Sequence, residues 1–314
     1  MSHLKFSNHV IYCWLRSLIS ASKIGRKVER VIISRRAPTQ TMCADGYVGV
    51  VAKILGELYE LNSTSPQEST VFEIGTGRHL AVPIMLRALG IKRVITVDVA
   101  DGLILSQAKA MAMNISQNRL VFQLAQSFGI SLPIINWKII YSAQTIDEFL
   151  SALGIEVFHS VRLDDAIICD RIIPAETNLI FSMNVLEHIH PDNLKKILFN
   201  CQSSLSNAKK SIQLHHVDLS DHFSHEIPSL HPLNFYRFSE FSWKCFSRNT
   251  YAYTNRQTIN DYKLLAQGIS NSTEIEVLEQ VDLSKWPSAH LFCNKYFAGN
   301  QLDILKIYIK LSKY

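Results

Sequence analysis

A short apolar run, Val71 to Ile74, ends in Gly75-Thr76-Gly77; a helical pattern from His79 to Leu89 follows, then Gly90, then a second apolar run, Val94 to Val97, that stops at Asp98. Apolar runs bounded by turn residues read as buried strands, and Gly90 suits the residue just past a helix end. Strand, turn, helix and strand in that order form a βαβ unit, whose strands are parallel. Glycine at the turn lets backbone approach a ligand, because it lacks a Cβ and accepts positive φ. Asp98 lies 23 residues after Gly75, at the expected end of the second strand. A carboxylate there can accept hydrogen bonds from both hydroxyls of a ribose, so the pair marks a nucleoside-binding crevice.

The alternation continues along the chain. Strands are expected at Ile155 to Phe158, Leu179 to Phe181 and Ile212 to Val217, with a helix over Asp192 to Leu205. A helix over Thr258 to Gln267 and strands at Ile275 to Leu278 and Leu302 to Leu311 close the chain. Ahead of the βαβ unit, Val48, Val51, Ile54, Leu55, Leu58 and Leu61 recur at helical spacing, and a polar linker joins them to it. Residues 103–153 are mostly helical and longer than one crossover needs, which reads as an insertion. Residues 218–257 show no period and are rich in aromatics and His, the character of a lid or binding loop. The expected organisation is an N-terminal helical extension (1–69), an α/β core (70–217), a lid (218–257) and a C-terminal completion of the core (258–314).

Apolar residues make up 47% of the 314 and charged residues 19%, ample for a packed core and too apolar for disorder. The formal charge of +5 comes from residues 1–36, which hold eight Lys/Arg against Glu29 alone. The remainder is slightly acidic, which argues against a nucleic-acid partner. Six scattered cysteines without a CxxC pair point to reduced thiols and a cytoplasmic location. Residues 9–36 mix Trp14, Leu15, Leu18 and Ile19 with the basic set; such a segment can lie peripherally on the inner face of a membrane or pack on the domain, and both readings stay open.

The identity of the nucleoside ligand turns on the third glycine. A dinucleotide pyrophosphate needs G-x-G-x-x-G, and Leu80 stands at the last position, which speaks against a nicotinamide-dependent oxidoreductase. Glu73-x-Gly75-x-Gly77 instead resembles the first motif of the class I S-adenosylmethionine (SAM)-dependent methyltransferases, with His79 in place of their third glycine. Asn178-Leu-Ile-Phe-Ser-Met-Asn-Val-Leu-Glu-His-Ile189 resembles the family's fourth strand running into a Val-Leu-Glu-His turn. The resemblance implies a Rossmann-like α/β class I methyltransferase sheet, mostly parallel with its last strand antiparallel. It also implies SAM as cofactor, held by Glu73, Gly75, Thr76, Gly77, Asp98, Asn184 and Val185, with Asp165 taking the adenine amino group. His188 would face the substrate side or anchor its helix. A non-catalytic module of the same fold is the rival that His79 leaves open.

Seven of the twelve histidines fall between residues 188 and 231. His216, Asp218 and His222 follow the fifth expected strand, so they should hang over the crevice. They can act as a general base, ligate a divalent cation, or pin the lid by hydrogen bonds. No HExxH or His–Cys spacing marks a metal, so no ligand is assigned. Val217-Asp-Leu-Ser-Asp-His-Phe223 resembles a stretch in methyltransferase-domain proteins of bacterial polysaccharide and glycan assembly, implying O-methylation of a small-molecule, sugar or lipid-linked glycan acceptor. Phe235, Tyr236, Phe238, Trp243 and Tyr251 can stack on a sugar or form the core of the lid.

Overall fold

The computed structural model describes residues 22, 24, 25, 43–62, 65–205, 210–226, 230–246, 253–283 and 301–313. The basic leader, apart from three residues, and Tyr251 lie outside them. Among the described residues no helix is long and apolar enough to cross a membrane.

Seven strands form one sheet: β1 (Thr70–Ile74), β2 (Arg93–Asp98), β3 (Ile155–His159), β4 (Thr177–Met183), β5 (Ser211–Asp218), β6 (Ser272–Gln280) and β7 (Ile304–Lys313). Their order is β3-β2-β1-β4-β5-β7-β6, and only β7 runs antiparallel to its neighbours. This is the Rossmann-like sheet with a reversed last strand that the family resemblance implies. The chain moves outward one way through β2 and β3, then returns to β4 on the other side of β1. That reversal opens a crevice beyond the carboxyl ends of β1 and β4, where open α/β sheets bind ligands.

All five residues of β1 are buried, as a central parallel strand covered on both faces requires. Alternation sends Val71 to one face and Phe72 and Ile74 to the other. Helix α1 (Asp45–Asn62) covers the first face with Val51, Ile54, Leu55 and Leu58, beside α2 (Ala81–Ala88). Lys310 of β7 holds Glu57 of α1 at 2.8 Å, which fixes the helix across the sheet. Four further helices fill 103–153: α3 (Leu105–Gln117), α4 (Arg119–Ser127), α5 (Trp137–Ser142) and α6 (Ile146–Leu153). Asn118, Asn136 and Thr145 cap the last three through their side chains. The second face is covered by α7 (Ala166–Ile172) and α8 (Pro191–Ser204) through Cys169, Ile197 and Cys201.

The helix read from His79 begins two residues later. Leu80 takes a left-handed φ of +56° as its N-cap, so the turn that starts at Gly75 extends through His79 before the helix can form. The stretch after β5 holds more structure than its lack of period suggests: α9 (Phe223–Glu226), a 3-10 turn at Asn234–Arg237 and α10 (Glu240–Phe246). Phe235, Tyr236 and Trp243 are buried there with Leu233 and Leu305, and Phe238 packs against them. Arg256 lies 5.2 Å over the Trp243 ring and donates to the Phe235 and Phe238 carbonyls. Phe235, Tyr236 and Trp243 thus form a local core. Helix α11 (Ile259–Gln267), closed by a Thr258–Asp261 capping box, packs with α8 on β5 and β7.

Candidate functional site

The turn after β1 is hung on β2. Gly75 N–H donates to the Val97 carbonyl at 2.7 Å, and its φ of +89° is one that L side chains rarely adopt. A Cβ on Gly75 would lie 2.4 Å from Cγ2 of Val185, so the β1 and β4 turns touch at this point. Gly77, at φ +66°, is exposed and has open space where a Cβ would project. Its N–H donates to Oδ2 of Asp98 at 3.3 Å, and Asp98 Oδ1 accepts from Ala100 N–H at 3.0 Å. Asp98 is half-buried, and each of its oxygens keeps a lone pair for a ligand hydroxyl.

Behind the turn, Thr96 Oγ1 donates to Glu73 at 2.6 Å and lies 2.8 Å from Thr76 Oγ1. Glu73 is only 4% exposed. Burial pushes its carboxyl up to about 8, opposed by the Thr96 hydrogen bond and helped by the charge of Asp98. His79, at the third-glycine position, turns toward α1: its Nε2 lies 3.1 Å from the Tyr47 hydroxyl, with the rings edge-on. Burial lowers the His79 pKa, and burial together with Glu73 raises that of Tyr47.

At the end of β4, Asn184 adopts φ +54° and its N–H donates to the His216 carbonyl at 3.1 Å. Its Oδ1 accepts from Nδ1 of His216 at 2.7 Å, which leaves the lone pair of that imidazole on Nε2. Burial lowers the His216 pKa, so the ring is neutral near pH 7. The structure therefore brings Asn184, Val185 and His216 together with the β1 turn. Asp165 caps α7, its Oδ1 accepting from Ile167 N–H at 2.9 Å, while Asp164 is paired with Arg162 at 2.7 Å.

The 3-10 turn Leu186–His188 carries a second group. Glu187 is 2% exposed; the backbone N–H groups of Glu187 and Asp218 favour its charge, but no donor meets either carboxylate oxygen in good hydrogen-bond geometry. Asn255 fixes this turn from the lid, donating its N–H to the Glu187 carbonyl at 2.7 Å and its Nδ2 to Leu186 and Ile189. His222 Nε2 lies 3.9 Å from Glu187 Oε1 and 4.0 Å from Asp218 Oδ2. Asp218 Oδ1 accepts from both N–H and Oγ of Ser220, and His225 Nε2 lies 3.6 Å from Oδ2. His188 meets His222 edge-on at 4.8 Å, and its Nδ1 donates to the Tyr253 carbonyl at 2.6 Å. Burial holds Glu187 well above the usual carboxyl range and lowers His222 to about 4. The sequence reading quoted Glu187 in its motif and gave it no role. An acid beside a His at a strand end, with further His after the next strand, was the available signal.

No family model and no curated protein matches the chain. Among solved structures, the chain is similar to the plantazolicin methyltransferase BamL in complex with a triazolic desmethylPZN analog and SAH, at 9% identity and TM-score 0.48, over 98% of this chain and 97% of that one. It is also similar to the methyltransferase domain of bacterial CtHen1, at 10% identity and TM-score 0.42, over 84% and 96%. A third is a putative O-methyltransferase from Nostoc punctiforme, at 11% identity and TM-score 0.42, over 85% and 56%.

Proposed function

We propose that the chain is a SAM-dependent methyltransferase acting on a hydroxyl oxygen, with the sugar or glycan acceptor that its Val217 to Phe223 segment implies. The observation that carries the reading is the pairing of a positive-φ glycine turn, open at Gly77, with the half-exposed Asp98 carboxylate at the topological switch point. The cradle fits a nucleoside: Gly77 leaves room against backbone, Asp98 suits a ribose diol, and Glu73 sits behind the turn to meet an ammonium through water. Leu80, fully buried beneath α2, leaves no glycine N-terminus for a pyrophosphate.

When bound, the cofactor supplies a methyl group on a sulfonium sulfur. The chain's own contribution is alignment and proton handling. Asn184 and Val185 form the wall between the cradle and the β5 tail. His216, neutral and oriented by Asn184, presents Nε2 as the acceptor for a hydroxyl proton. Asp218 and His222 flank the acceptor side.

Calorimetric titration of the purified chain with S-adenosylhomocysteine tests the reading. Binding is expected for the wild type, and Asp98→Ala should lose about 1–3 kcal/mol, roughly 5- to 150-fold. Binding of NADH in place of the homocysteine derivative would instead support an oxidoreductase. Equal affinity of wild type and Asp98→Ala would remove Asp98 from the site.

A further inference from the structure

A buried carboxylate with no hydrogen bond is a costly feature, and in native folds such groups are paired, hydrated or bound to a metal. At 2% exposure Glu187 has no donor in good hydrogen-bond geometry on either oxygen, and only the backbone N–H groups of Glu187 and Asp218 lie near enough to favour its charge. The polar atoms arrayed around it are donors of a particular kind. Nε2 of His222, a buried atom of a side chain that is 25% exposed, has no hydrogen-bond partner and lies 3.9 Å away. His188 gives its Nδ1 proton to the Tyr253 carbonyl, which leaves a lone pair on Nε2. An imidazole tied by one nitrogen to a backbone carbonyl, with the other free, is how metal-ligating histidines are oriented. One donor atom from each of Glu187, His188 and His222 lies within 4.8 Å of the other two. Two metal–ligand bonds of about 2.1 Å join atoms up to about 4.2 Å apart, so a single ion spans the Glu187–His222 separation with little movement.

We propose that Glu187, His188 and His222 bind a divalent first-row transition-metal ion, with Asp218 and His225 at its rim. Two imidazoles and one carboxylate favour manganese, iron, cobalt, nickel or zinc over the all-oxygen shells of calcium and magnesium. The competing arrangement is a closed structural pair in which a protonated Glu187 donates to His222; it takes up no ion.

Three protein ligands leave positions open to solvent or substrate. Resting on the methyl-transfer reading, the open positions take the acceptor hydroxyl. Coordination makes that O–H more acidic, and His216 Nε2 accepts its proton. The oxygen lone pair forms the new O–CH3 bond as the S–CH3 bond breaks, and the electron pair of the broken bond stays on sulfur as a neutral thioether.

Cobalt is a suitable probe, because its visible bands report nitrogen and oxygen ligation directly. The full chain is stripped with EDTA, dialysed and titrated with Co2+, and thermal denaturation is followed in parallel with Mn2+. One Co2+ per chain with visible absorption is expected, along with a raised melting temperature in Mn2+. Glu187→Gln, which is isosteric, and His222→Ala should each weaken Co2+ binding at least tenfold, and their melting curves without metal show whether they fold. Should either fail to fold, the wild-type stoichiometry and spectrum still decide. No Co2+ uptake by the wild type, or unchanged uptake by folded Glu187→Gln, would overturn the site. Homocysteine-derivative binding without Co2+ uptake would defeat the metal site alone; Co2+ uptake without nucleoside binding would defeat the methyl-transfer reading alone.

Discussion

The two walls of the crevice are built in opposite ways. On the β1–β2 side, Glu73 is met by Thr96, Thr76 by Thr96, and Asp98 by two backbone N–H groups. On the β5 side, the buried carboxylate of Glu187 and the buried Nε2 of the half-buried His222 meet no donor or acceptor in good geometry. The carboxylates of the first wall are met as they stand, although Nδ1 of His79 in the same turn is buried without a partner. The second is incomplete, and its buried donors gain most from whatever enters between them. A fold can thus hold a rigid cradle and a receptive cluster side by side, because one is fixed by backbone hydrogen bonds and the other by packing from α11 and the lid through Asn255.

The rigid wall can be attacked most severely at Gly75. Gly75→Ala places a Cβ against Val185 at a backbone angle that favours glycine, so a loss of about 2–5 kcal/mol in stability is expected. Denaturant unfolding measures it, and S-adenosylhomocysteine binding should vanish in the protein that remains folded. Retained affinity would show that the β1 and β4 turns can part without consequence.

A smaller effect comes from Glu73, and it separates burial from pairing. Its folded carboxyl titrates near 8, against an ordinary value of 4.5. Between these values the folded state holds a proton that the unfolded chain releases, so stability present at low pH is lost as pH rises through about 8. The amide of the Glu73→Gln variant has no such proton to exchange. The stability of wild type minus Glu73→Gln should therefore fall between about pH 4.5 and 8 and level off above, by an amount on the order of a few kcal/mol. Taking the difference removes the opposite contribution of His215 and His222, whose lowered values raise stability as pH rises from acid. A flat difference would mean that Glu73 is ionised in the fold and better solvated than its burial suggests.

The sheet could be read from the chain because each strand announces itself locally. Val71 to Ile74 is apolar apart from Glu73, and Gly75 and Gly77 stand where φ is positive. The last two strands are legible too, because β7 carries a run of Ile and Leu that only a strand between two partners buries. The start of α2 was misplaced because nothing in Leu80 signals a left-handed conformation. The aromatics after β5 left both a sugar platform and a core open, since burial without periodicity depends on Leu305, about 70 residues further on, closing over them. Glu187 and His222 are far apart in the chain and meet only because β4 and β5 are neighbours in the sheet. No local pattern encodes that meeting, so the β5-side wall was the harder one to see.

Diffraction from crystals grown with S-adenosylhomocysteine tests the central proposition most directly. The expected density puts the ribose hydroxyls on Asp98, the amino-acid part beside Gly75 and Gly77, and the sulfur toward Asn184. Density for the molecule elsewhere on the chain, or an empty cradle beside Gly77 and Asp98 at saturating ligand, would contradict it.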